Sequence, residues 1–192
     1  MERRYRKRGL GNVATTIVES VLAGNVENAT VLEIGGGVGE LHIELLKRGA
    51  ARATNLELSA AYEPAARRLL TEAQLADRVE RRIVDIAASH AEVEPADVVV
   101  LHRVVCCYPD YAKLLAAAAD HARRQVVFSH PPRTFWSRAA FGLENLTYRL
   151  RGSEFRVFTH PPKAMLAVLA AHGMHTETVH GSFSWHVANA RR

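Results

Sequence analysis

Short apolar runs alternate with longer amphipathic stretches along most of the chain. The run Val31-Leu32-Glu33-Ile34 ends in Gly35-Gly36-Gly37-Val38-Gly39 and is followed by an amphipathic stretch that Gly49 stops. This predicts a buried parallel strand over 30–34 that turns tightly into a helix over 39–48. The unit then repeats. A strand is expected over 53–58, then a helix over 60–76 with Tyr62, Ala66, Leu69, Leu70 and Ala73 on one face and Pro64 in its first turn. Strands over 79–84 and 95–101 follow, the latter apolar throughout as a central parallel strand should be. Asp110 caps a helix over 111–122, and a fifth strand covers 125–129.

The pattern changes at both ends. Leu10, Val13, Ile17, Val18, Val21 and Leu22 recur at helical spacing, so residues 1–28 read as a helical lead-in that caps a main domain over 29–192. An insertion over 133–152 carries Phe135, Trp136, Phe141, Leu143, Leu146 and Tyr148, and is expected to act as a lid supplying apolar walls. A helix over 163–172 and two strands over 174–180 and 183–190, joined at Gly181-Ser182, close the chain. The sum is an α/β fold: a doubly wound, mostly parallel seven-stranded sheet with an antiparallel C-terminal hairpin.

Composition narrows the class without choosing a function. With 192 residues, 48% hydrophobic and 23% charged, the chain has the makeup of an ordinary globular protein. No apolar run approaches the roughly 20 residues of a membrane span, and no signal core follows the basic N-terminus. Cys106 and Cys107 are neighbours and cannot close a loop, so a reducing, cytoplasmic setting is expected. Most of the net charge of +5 comes from Arg3, Arg4, Arg6, Lys7 and Arg8. The remainder is near neutral and offers no basic stripe, so nucleic acid is not the expected partner.

The glycine turn carries the chemistry. Gly35, Gly37 and Gly39 give G-x-G-x-G, with Glu40 where the dinucleotide fingerprint has its last glycine, and no Gly-Lys-Ser/Thr follows. Glu33, two residues before the first glycine, suits a cationic ligand better than a pyrophosphate. Glu57, about 20 positions past the turn and next to Leu58, stands where a carboxylate can accept from both ribose hydroxyls. By topology the end of the fourth strand lies at the switch point beside the first, which brings His102, Arg103 and Tyr108 to the ligand edge. His130 ends the neighbouring strand on the same edge. No histidine pair has metal-ligand spacing, so no metal is expected.

Glu-Ile-Gly-Gly-Gly-Val-Gly resembles the first motif of class I S-adenosylmethionine-dependent methyltransferases. The resemblance implies a Rossmann-like fold and S-adenosylmethionine as cofactor. It implies that Gly35, Gly36, Gly37 and Gly39 cradle the methionine end, Glu57 the ribose, and Asp85 with Ile86 the adenine. His102, at the end of strand four, joins that set. It also suggests an N-terminal helix over the cofactor mouth, with Tyr5 and Arg8 near the site. The stretch from Val-Val-Val-Leu to Cys-Tyr-Pro, Val-Val-Phe-Ser and the aromatic insertion is similar to the magnesium-protoporphyrin O-methyltransferase subgroup. Cys107 and Arg103 depart from that subgroup's histidine and aspartate, and its first motif has aspartate and Gly-Cys-Gly.

The expected activity is methyl transfer to a small-molecule acceptor, at the oxygen of a carboxylate or hydroxyl. His102, Arg103, Tyr108 and His130 border the acceptor, and Arg103 favours an anionic one. Two rivals stay open at this point. One is a nicotinamide oxidoreductase, against which Glu40 and the final hairpin count. The other is a non-catalytic module that binds cofactor or RNA.

Overall fold

The computed structural model describes residues 2–89 and 93–192. Its elements run α1 (Glu2–Arg8), α2 (Asn12–Leu22), β1 (Thr30–Ile34), α3 (Glu40–Lys47), β2 (Arg52–Leu56), α4 (Glu63–Glu72), β3 (Val79–Arg82), α5 (Ile86–Ser89), β4 (Ala96–Leu101), α6 (Tyr111–Asp120), β5 (Ala122–His130), α7 (Phe135–Leu150), α8 (Pro162–Ala171), β6 (His175–Gly181) and β7 (His186–Arg191). The seven strands form one sheet in the order β3-β2-β1-β4-β5-β7-β6. Pairing is parallel from β3 through β5, and β7 pairs antiparallel with both β5 and β6. The fold expected from the sequence is the fold observed.

Strand periodicity divides the core in two. Leu32, Val99, Leu101, Val126, Phe128, Ala188 and Ala190 pack with Leu114, Leu115, Met165 and Leu169 of α6 and α8 on one face. Their neighbours Val31, Val98, Val100, Val127 and Val187 pack with Ile17, Val18, Leu41, Leu45 and Leu69 of α2, α3 and α4 on the other. Successive side chains point to opposite faces of a strand, so strands buried on both faces must be apolar at nearly every position. Each fully buried Leu, Ile or Phe contributes roughly 1.5–3 kcal/mol. Glu33, 2% exposed, breaks that rule in the middle of the sheet.

Several boundaries differ from expectation for local reasons. The helix expected over 60–76 is a 3₁₀ turn, Ala60–Tyr62, followed by α4, because Pro64 fits only the first turn of an α-helix. The lead-in is two helices rather than one, broken at Gly9, whose φ is +65°. α2 buries Ala14, Ile17, Val18 and Val21 in the core, while α1 is tied to α3 and α4 by polar contacts. The hairpin turn is longer than Gly181-Ser182: Ser182 closes it on Trp185, and Phe183 falls in the turn, not in a strand. Among the described residues no helix is long and apolar enough to cross a membrane.

Candidate active site

The site begins where the backbone leaves β1. Gly35, Gly37 and Gly39 have φ of 66°, 55° and 90°, a region closed to most side chains. Space is limiting as well. A Cβ on Gly35 would lie 2.4 Å from Val104 Cγ2, and one on Gly36 2.1 Å from Asn55 Oδ1. The resulting bare loop walls a cavity of about 530 Å³ at the carboxyl ends of β1, β2 and β4.

Four carboxylates line that cavity: Glu40 at the start of α3, tied to Arg4, and Glu33, Glu57 and Asp85 from three successive β-strand ends. Glu33 Oε2 accepts the backbone N–H of His42 at 3.1 Å and lies 2.5 Å from His42 Nδ1. Glu57 is braced by backbone donors: Oε2 accepts from Gly37 N, and Oε1 from Leu58 N and Ser59 N. Asp85 accepts from Ala87 N and from Tyr108 Oη at 3.0 Å. Leu58 and Ile86 also line the cavity, as expected. Gly39 does not; it caps α3, and its missing Cβ makes room for the His42 ring.

The other wall comes from the end of β4. Arg103 has φ of +60°, a conformation that costs a non-glycine residue about 1–2 kcal/mol. Its N–H donates to Ser129 Oγ at 2.9 Å, and its guanidinium lies 4.8 Å from the Trp185 ring centroid. The strain therefore holds a cation on an aromatic face at the cavity. His102 Nδ1 also meets Ser129 Oγ, at 3.0 Å. Burial first, then the Arg103 and Arg4 charges, push the His102 imidazolium down to about 4, so the ring is neutral near pH 7. Burial first, then the hydrogen bond and charge of Asp85, push the Tyr108 phenol up to about 12.

Tyr108 lines the cavity beside His102 and Arg103, with its hydroxyl engaged by Asp85 after β3. Three expectations need correction. His130 is absent from the cavity wall. It is 3% exposed, its Nδ1 meets Pro131 O at 3.0 Å, and its ring packs on Phe128 and His186, because the antiparallel β7 covers that strand end. The 133–152 segment supplies no lining residue; Phe155, just beyond α7, does. Arg8 makes no contact with an acid of the site, whereas Arg4 reaches Glu40 of the cavity wall at 3.2 Å. Tyr5 is buried, with its hydroxyl on Glu44.

Other participants escaped the sequence reading. His42 could have been suspected from its place in the first turn of the helix after the glycine loop, where side chains lean back toward the strand. Trp185, Val104 and Phe155 gave no such signal.

A family model described as a methyltransferase domain matches residues 3–173. The chain belongs to the methyltransferase family. This methyltransferase is an enzyme of the methyl-transferring class, and its cofactor is S-adenosylmethionine. In fold it is similar to magnesium protoporphyrin IX methyltransferase from Synechocystis PCC 6803, solved with bound SAH (TM-score 0.74, 20% identity, covering 94% of this chain and 81% of that one). It is similar too to a putative sarcosine dimethylglycine methyltransferase from Galdieria sulphuraria (TM-score 0.76, 12% identity, covering 97% of this chain and 87% of that one). An O-methyltransferase family protein from Burkholderia thailandensis gives TM-score 0.79 at 18% identity, over 100% of this chain and 57% of that one. No curated protein matches the sequence.

The residues present fit the cofactor. Val104 and Asn55 leave no room for a Cβ at Gly35 or Gly36, so bare backbone lines the cavity, and Glu33, Glu57 and Asp85 can serve an amine, a diol and a base amino group in turn.

Proposed function

We propose that this methyltransferase methylates a small-molecule acceptor at oxygen, and that the acceptor is a carboxylate. The observation that carries the reading is Arg103, a cation fixed by a strained backbone and by Trp185 at the wall of the cavity. A guanidinium there binds and orients an anionic acceptor in a bidentate way. When bound, S-adenosylmethionine supplies an electrophilic methyl group on a sulfonium. A carboxylate is a nucleophile at neutral pH without losing a proton, so the chain need hold no strong base.

His102 agrees with this. An imidazole that protonates only near pH 4 is too weak a base to ionise an alcohol efficiently. The chain's contribution is positional: Arg103 aligns the acceptor, the glycine loop and three carboxylates hold the donor, and the apolar wall of Val104, Leu114 and Phe155 excludes water.

The test is transfer of labelled methyl from S-adenosylmethionine to a panel of aromatic and aliphatic carboxylic acids, phenols and alcohols, followed by mild alkali. A methyl ester releases its label as volatile methanol, and that is the expected result. Label that survives alkali would show an ether or N-methyl product and overturn the carboxylate reading.

A further inference from the structure

Helix α7 stands with its more apolar face turned away from the protein. None of its 16 residues is buried. The inner face is held by Asn145, which exchanges two hydrogen bonds with the Val157 backbone at 2.7 and 2.8 Å, and by Tyr148, whose ring meets Phe155 at 5.1 Å. On the opposite side Phe135, Trp136, Leu143, Leu146 and Leu150 are between 50% and 78% exposed. At helical spacing these five form one stripe about 100° wide and roughly 22 Å long. A contiguous apolar stripe of that size facing water marks a contact surface.

Charge selects what covers it. Arg133 precedes the helix, Arg138 and Arg149 lie on it, and Arg151 follows it. Its one acid, Glu144, is half-buried on the inner face and accepts the Tyr148 hydroxyl. A second copy packed antiparallel would set Arg133 and Arg138 against Arg149 and Arg151 of its mate. Packed parallel, each arginine would meet its own image. Both arrangements oppose like charges.

An anionic bilayer surface answers both features at once. Acyl chains take the stripe, lipid phosphates and carboxylates take the guanidiniums, and Trp136, whose ring meets Phe135 at 5.4 Å, has the amphipathic character of a residue at a headgroup boundary. We propose that α7 lies in the plane of an anionic membrane surface with its apolar stripe toward the acyl chains.

Flotation of the full chain with vesicles of phosphatidylcholine alone and of phosphatidylcholine with phosphatidylserine tests this. The chain should float with the mixed vesicles and not with the neutral ones. Arg138→Gln and Arg149→Gln should each weaken partition roughly fivefold. Leu143→Ser combined with Leu146→Ser should abolish it, while S-adenosylhomocysteine affinity stays at the wild-type value and shows that the variant is folded. Four results would overturn the proposal: no flotation with either vesicle, equal flotation with both, binding that survives the double serine variant but is lost on deleting residues 2–8, or a solution dimer that the serine variant dissolves.

Discussion

Glu33 and His42 form a buried pair across the glycine loop, with His42 Nδ1 2.5 Å from Glu33 Oε2 and the His42 backbone N–H on the same oxygen. His42 is fully buried, and its Nε2 has no hydrogen-bond partner among the described residues. Both bonds fall on Oε2, so Oε1 is the oxygen left for the cavity. A carboxylate in mid-sheet needs this support, because burying a charge without hydrogen bonds is costly. The first turn of α3 thus holds the acid that β1 presents, and Gly39 lacks a side chain because the imidazole occupies that space.

His42→Leu removes the ring donor while roughly keeping volume. We expect S-adenosylhomocysteine to bind about tenfold more weakly and adenosine, which lacks the amino-acid end, to bind as before. His42→Asn, which restores a donor at a similar place, should recover most of the loss. Calorimetric titrations with both ligands check this; equal losses for the two would mean that His42 supports only the fold.

Gly35→Ala meets two obstacles, a φ of +66° and the Val104 side chain. The backbone alone should cost about 1–2 kcal/mol, and the clash adds to it. Val104→Ala should relieve the second part and not the first. A double-mutant cycle of thermal unfolding is therefore expected to show a favourable coupling between the two substitutions. Strict additivity would contradict the contact.

Tyr108→Phe removes the hydroxyl that Asp85 accepts. The account predicts a change of roughly threefold to tenfold in the KM for S-adenosylmethionine with the acceptor KM unmoved. A shift confined to the acceptor KM would assign Tyr108 to the acceptor instead.

His102 has a folded-state pKa of about 4, below its ordinary value of 6.5. As pH falls, the unfolded chain takes up this proton first, so the stability tied to the neutral ring is complete above 6.5 and is lost between about 6.5 and 4. His102→Gln should flatten the fall in unfolding free energy over that window by about 1–3 kcal/mol. Denaturant titrations at pH 7, 5.5 and 4.5 measure it. Parallel wild-type and variant curves would show that His102 is not held neutral.

The sequence was most informative where local pattern and topology coincide. β1 and its glycine turn were readable because an apolar run and a G-x-G-x-G spacing allow little else, and Glu57 and Asp85 follow from their places after the next two strands. His130 misled because the rule that strand ends face the ligand holds for parallel neighbours, and β7 runs antiparallel over that end. The expected lid misled because aromatic content is silent about which way a helix faces. Trp185 reaches Arg103 only through the β6–β7 turn, more than 80 residues away in the chain, and no local pattern encodes such a contact.

The central claim is that one cavity, walled by the bare glycine loop and by Glu33, Glu57 and Asp85, holds the cofactor. Isothermal titration of the full chain with S-adenosylhomocysteine tests it most directly, alongside Glu57→Gln and Asp85→Asn. Saturable one-to-one binding in the wild type, weakened about tenfold or more in each variant, is the predicted result. Absence of heat and of thermal protection at saturating ligand, or variants that bind as the wild type does, would contradict it.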